Sequence, residues 1–79
     1  MSHILLIEPD AILAATYKQA IEFAGHLLQS ASTAQQAIQA LDHTRSQLIL
    51  LELQLPEHDG IEFLHELRSY PEWRDIPVV

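Results

Sequence analysis

The chain has 79 residues, 48% hydrophobic and 19% charged, a globular composition that makes one domain at most. Its eleven acids against Lys18, Arg45, Arg68 and Arg74 give a net charge of −7, which leaves no basic cluster for phosphates and argues against direct nucleic-acid binding. There is no cysteine, hence no disulfide framework or thiolate site, and Ile4–Ile7 is too short an apolar run for a signal-peptide core or a membrane span; the default expectation is a cytoplasmic protein.

His3–Ile7 is a nearly continuous apolar run ahead of Glu8-Pro9-Asp10, the pattern of a strand buried on both faces of a parallel sheet. After Asp10, a candidate N-cap, residues Leu13, Tyr17, Ala20, Ile21 and Ala24 form one helical stripe that Gly25 stops. His26–Ala31 reads as a weaker strand. Ser32 or Thr33 then caps a second helix with its stripe at Ala34, Ala37, Ile38 and Leu41. Gln47–Glu52 repeats the apolar run and acidic end of the first strand, a turn-rich loop runs from Leu53 to Gly60, and a helix is expected over Ile61–Ser69. Tyr70–Asp75 is a loop, and Ile76–Val79 opens a fourth strand, with Pro77 tolerated at a strand start or edge.

Strands alternating with helices of this length pair in parallel through right-handed crossovers, so the class is α/β, a doubly wound sheet with helices on both faces. In such folds the polar residues at the carboxyl ends of the strands line the crevice, and here they are Glu8, Asp10 and Glu52, an acidic pocket.

Ile4-Leu-Leu-Ile-Glu-Pro-Asp10 and Leu50-Leu-Glu-Leu-Gln-Leu-Pro-Glu-His-Asp-Gly60 resemble the two diagnostic stretches of two-component receiver domains. In that family the second stretch is an apolar strand, the phosphoacceptor aspartate, three residues, proline, two residues, then Asp-Gly; Glu52, Pro56, Asp59 and Gly60 fall in that register. The resemblance covers the whole chain. It implies half of a flavodoxin-like sheet, three βα units plus the start of a fourth strand, with residues 1–79 forming a single truncated receiver domain. The family's later switch hydroxyl, lysine and aromatic residue would lie beyond Val79.

The departures from the family pattern concern chemistry. Receivers hold a divalent metal between an acidic pair after the first strand, the phosphoacceptor and a backbone carbonyl two residues on, the place of Gln54. Here the pair reads Glu8-Pro9, and Asp10 either swings in as a substitute or caps the helix. Two carboxylates, Glu8 and Glu52, would hold Mg²⁺ weakly at most, so no metal or other cofactor is expected. Glu52 is one methylene longer than aspartate, and positioning supplies most of the rate in phosphoryl transfer. It is therefore the phosphoacceptor equivalent, read either as a carboxylate reaching toward the phosphoryl position or as a strand-terminal group kept in water. No catalytic residue is assigned.

Pro56, Asp59 and Gly60 suit a tight turn into a helix as well as a functional loop. Glu62 and His65 have the spacing of a helical metal motif, but the single copy reads as a solvated face. Trp73 is an interface anchor or a cover for its own loop.

These features lead to a pseudo-receiver, not an enzyme, that signals by contacts and self-associates. The expected homodimer interface is Leu48, Leu50, Trp73, Ile76 and Val78, at the flank where the family's later strands and helices would pack. The rival expectations are a phosphoaccepting receiver served by a histidine kinase, and a piece of a longer regulator carrying the remaining chemistry.

Overall fold

The computed structural model describes residues 2–55 and 59–79. Its elements run β1 (His3–Ile7), α1 (Ala11–Phe23), β2 (Leu27–Ala31), α2 (Ala34–His43), β3 (Leu48–Leu51) and α3 (Gly60–Ser69). This is the expected alternation. β2 begins at Leu27 because the His26 N–H turns back to the Ile21 carbonyl at 3.3 Å, closing the end of α1. Gly25, at φ 97°, supplies the left-handed residue which that closure needs.

The strands are parallel in the order β2-β1-β3, with Ile4 opposite Leu28 and Leu48, and Ile7 opposite Ala31 and Leu51. Side chains alternate across the sheet, so β1 feeds two cores. Leu5 and Ile7 join Ile49, Phe63, Leu67, Trp73 and Ile76 on the side of α2 and α3. Ile4 and Leu6 join Ala14 and Leu28 on the side of α1. The sheet is thus covered on both faces, a doubly wound, flavodoxin-like α/β arrangement. Ala34, Ala37 and Ala40 let α2 lie close to the sheet, and each of the larger buried side chains, Phe63 foremost, contributes roughly 1.5–3 kcal/mol by leaving water.

Two sequence expectations need correction. The α1 stripe is not a core stripe throughout: Leu13 and Tyr17 remain 44% exposed, and Ala14 is the buried residue of the helix. The reason is that α1 packs over β1 and β2, which leaves the same face of β3, at Leu48 and Leu50, half-buried. Second, Trp73 and Ile76, expected between chains, are buried within this one, at 5% and 1% exposure. Trp73 packs into the α2–α3 core with its ring centroid 4.6 Å from that of Tyr70 and tilted 44° to it, while the Arg68 guanidinium donates to the carbonyls of Arg74 (2.6 Å) and Ile76 (2.8 Å) and ties the loop down. The Arg45 guanidinium does the same at the Glu72 carbonyl.

The terminal segment pairs with β3. Ile49 donates to Pro77 O at 2.9 Å, and Val79 and Leu51 donate to Ile49 O and Val79 O at 2.9 and 3.0 Å. Among the described residues one isolated parallel bridge, Ile49 to Val78, marks the start of the fourth strand.

Candidate functional site

Glu8 and Glu52 are placed by register alone. Each follows the last residue of its strand, and because Ile7 faces Leu51, the two acids are neighbours on adjacent strands about 4.8 Å apart in backbone. The Glu8 N–H continues the ladder to Ala31 O at 2.9 Å, and the Glu52 N–H to Ile7 O at 3.0 Å. Both side chains have the parity of Leu6 and Leu50, so they share the face of α1. There a cavity of about 220 Å³ is lined by Leu6, Glu8, Tyr17, Leu50, Glu52 and Val79, among others.

The carboxylates are not equivalent. Glu8 is buried, at 7% exposure, and its Oε2 accepts the Asp10 N–H at 3.1 Å. Glu52 is half-buried, and its Oε1 folds back to accept the Gln54 N–H at 3.2 Å. Among the described residues no cationic side chain reaches either group.

Asp10 does not join them. Its Oδ1 accepts the N–H groups of Ile12 (2.9 Å) and Leu13 (3.1 Å), and the residue is the exposed N-cap of α1. Asp10 is thus the N-cap expected from its position, and the acidic pocket is corrected to Glu8 and Glu52 because two orphan helix donors claim the Asp10 carboxylate.

The loop after β3 is built by backbone geometry. Gln54 is exposed and pairs with Asp59 across an antiparallel bridge. Asp59 caps α3 through Oδ1 to the Ile61 N–H at 2.8 Å. The Gly60 N–H donates to Leu53 O at 2.7 Å, and a Cβ on Gly60 would stand 2.6 Å from Leu53 Cα. Pro56 lies outside the described residues. Sequence reasoning missed Tyr17 as a wall of the site, having placed it in the core stripe; the Glu8–Glu52 pairing was legible from the equal strand ends.

Pro9 contributes no carboxylate, Asp10 is engaged at the cap, and among the described residues no group of three or more His, Cys, Asp or Glu could hold an ion. Glu62 and His65 are exposed on α3 and form no such group. No described helix is long and apolar enough to cross a membrane.

A parallel β2-β1-β3 sheet wound on both faces, with acids at the ends of β1 and β3 and an Asp-Gly start to α3, defines a receiver-type signalling fold. The chain belongs to the response regulator receiver domain family, whose sequence profile matches residues 4–79. It is 32% identical over 79 residues to the KDP operon transcriptional regulatory protein KdpE of Escherichia coli (strain K12), covering 100% of this chain and 34% of that protein. The N-terminal domain of a response regulator receiver protein from Methanoculleus marisnigri JR1 superposes with a TM-score of 0.95 at 27% identity, over 99% of this chain and 63% of that one. The signal receiver domain of a signal transduction histidine kinase from Syntrophus aciditrophicus gives a TM-score of 0.92 at 29% identity, over 99% and 59%. The chain thus spans about a third of KdpE and about three fifths of these solved receiver chains.

Proposed function

We propose that this chain is a receiver-like interaction module that acts without being phosphorylated and without catalysis of its own, in the cytoplasm, by self-association and by contact with other signalling proteins. The observation that carries the reading is the state of Glu52. Its carboxylate is already bonded to the Gln54 N–H, a donor that would otherwise be free to receive an oxygen anion at this place. A nucleophile engaged in this way, one methylene too long and lacking a second acid at Pro9, is poorly aligned for in-line attack on a phosphoryl donor. Among the described residues no cation touches either carboxylate, so none of them stabilises charge on a transferring phosphoryl group. Mg²⁺ binds at Glu8 and Glu52 only weakly, for want of further oxygen ligands.

Self-association uses the half-buried Leu48, Leu50 and Val78, the part of the expected interface that remains after Trp73 and Ile76 are taken into the core. Intact mass after incubation with a small phosphodonor tests the first part of the reading, and sedimentation equilibrium the second.

The second reading is a phosphoaccepting receiver that a histidine kinase loads at Glu52. Membership of the family and the intact Asp59-Gly60 turn beside Glu52 favour it. A phosphoryl group on Glu52, lost in Glu52→Gln, would establish it.

A further inference from the structure

We infer that the outer edge of β2 is a second self-association surface, where β2 of one chain pairs antiparallel with β2 of another about a two-fold axis at Gln29. β2 ends the sheet order β2-β1-β3, and in the flavodoxin-like order 2-1-3-4-5 it remains an edge whatever follows β3. The ladder to β1 shows which of its groups are open. The Leu27 N–H donates to Ser2 O at 2.8 Å, Ala31 O accepts the Glu8 N–H at 2.9 Å, and in the parallel register between them Gln29 also faces β1. Leu28 and Ser30 therefore turn their N–H and C=O groups outward, and among the described residues no backbone group outside the ladder bonds to them. This row is bounded at both ends, by the His26 N–H on Ile21 O and by the Ser32 N–H on Gln36 Oε1. Edge strands are commonly guarded by a charge, a proline or a bulge, and Leu27-Leu-Gln-Ser-Ala31 has no charged residue and no proline.

Charge and symmetry select a second copy as the occupant. The chain carries −7, yet residues 23–41, which hold β2 and α2, contain no Asp, Glu, Lys or Arg, so this flank lets two copies meet with most of their acids elsewhere. Its exposed polar side chains are neutral, Gln29 and Ser30 on β2 and Gln35, Gln36 and Gln39 on α2. Phe23 and Leu27, 94% and 43% exposed, add apolar surface for a partner to cover. The groove beside Ser30 and Ser32 has two charged groups, Lys18 and the buried Glu8, of opposite sign. With the axis at Gln29, Leu28 of each chain lies opposite Ser30 of the other, each pair exchanges both of its bonds, and every open group on the two strands finds a partner. Leu27 then comes opposite Ala31, and Gln29 faces Gln29 of the second copy at the close spacing of about 4.5 Å. An axis at Leu28 or at Ser30 would instead set Ser30 against His26 or Leu28 against Ser32, whose N–H groups are already bonded.

This surface lies at the opposite end of the sheet from Leu48, Leu50 and Val78 and is tested without them. So short a ladder makes a small, weak interface, with association expected at roughly 0.5 mM protein, in addition to the micromolar association through the other flank. Sedimentation equilibrium in the Leu50→Lys background, which removes that flank, is expected to give 9.0 kDa at micromolar protein and twice that mass at about 1 mM. Gln29→Lys or Gln29→Glu in the same background is expected to abolish the dimer by setting like charges face to face at the axis, and an equimolar mixture of the two to associate about tenfold more tightly than either alone. Gln29 is exposed, circular dichroism shows that each variant is folded, and Val78→Lys serves as the background if Leu50→Lys is unfolded. A 9.0 kDa species at every concentration in folded protein, a dimer that Gln29→Lys leaves intact, or a mixture no tighter than its components would overturn the inference.

Discussion

The Glu52 carboxylate accepts the backbone N–H of Gln54 at 3.2 Å, so the residue at the phosphoacceptor position is folded onto its own loop. This contact closes a short ring at the end of β3 and leaves Glu8, one strand away, as the buried partner of the pair.

Gly60 fixes the approach of the loop to α3. With Leu53 Cα 2.6 Å from the place of a Cβ, Gly60→Ala must push backbone apart, and no flexible side chain can yield instead. A destabilisation of about 3 kcal/mol, toward the upper end for point substitutions, is expected from urea unfolding. A loss below about 0.5 kcal/mol would show that the turn adapts freely.

Trp73 is a core residue. Trp73→Ala removes a side chain that is 5% exposed and packed against Tyr70, at an expected cost of about 3–5 kcal/mol in a fold with little to spare. In the intact protein its fluorescence is expected to resist quenching by iodide equally at nanomolar and micromolar protein. Quenching that is relieved only as concentration rises would return Trp73 to an interface.

Self-association brings together two chains of net charge −7, so salt is expected to strengthen it by screening their repulsion. Sedimentation equilibrium at micromolar protein is expected to show a species of twice 9.0 kDa, favoured at higher ionic strength, and Leu50→Lys is expected to dissociate it. A stable 9.0 kDa species under all conditions would remove self-association from the proposed function.

A ligand stabilises only through its occupancy of the folded state, so weak Mg²⁺ binding at Glu8 and Glu52 predicts a shift in Tm of less than about 1 °C at millimolar Mg²⁺. Pro9→Asp with Glu52→Asp supplies the missing carboxylate and shortens the other, and a rise of several degrees is expected. A wild-type shift of that size would mean that the carboxylates present suffice.

Much of the fold was legible because periodicity carries it: the runs Ile4–Ile7 and Leu48–Leu51, ending in Glu8 and Glu52, define a buried strand, a half-buried one and the acidic pair at their ends. The α2 stripe of Ala34, Ala37, Ile38 and Leu41 was equally plain, and it is buried except at Ile38, which is partly buried against the same core. The α1 stripe misled because Leu13 and Tyr17 obey helical spacing while the sheet surface beneath them is only partly covered, a matter of where the helix axis lies and not of its periodicity. Trp73 was ambiguous because an aromatic residue in a loop has the same composition whether it turns inward or outward. Its direction is set by Arg68, whose bonds to Arg74 O and Ile76 O no local pattern announces. Asp10 was open for a similar reason, as capping and metal binding both ask for a carboxylate after a strand.

The central claim is that Glu52 does not take up a phosphoryl group. Intact-mass spectrometry after incubation with excess acetyl phosphate and Mg²⁺ tests it most directly, with Pro9→Asp plus Glu52→Asp measured alongside. Wild type is expected to keep its unmodified mass, whereas a mass increased by one phosphoryl group, and restored to the unmodified value in Glu52→Gln, would contradict the account.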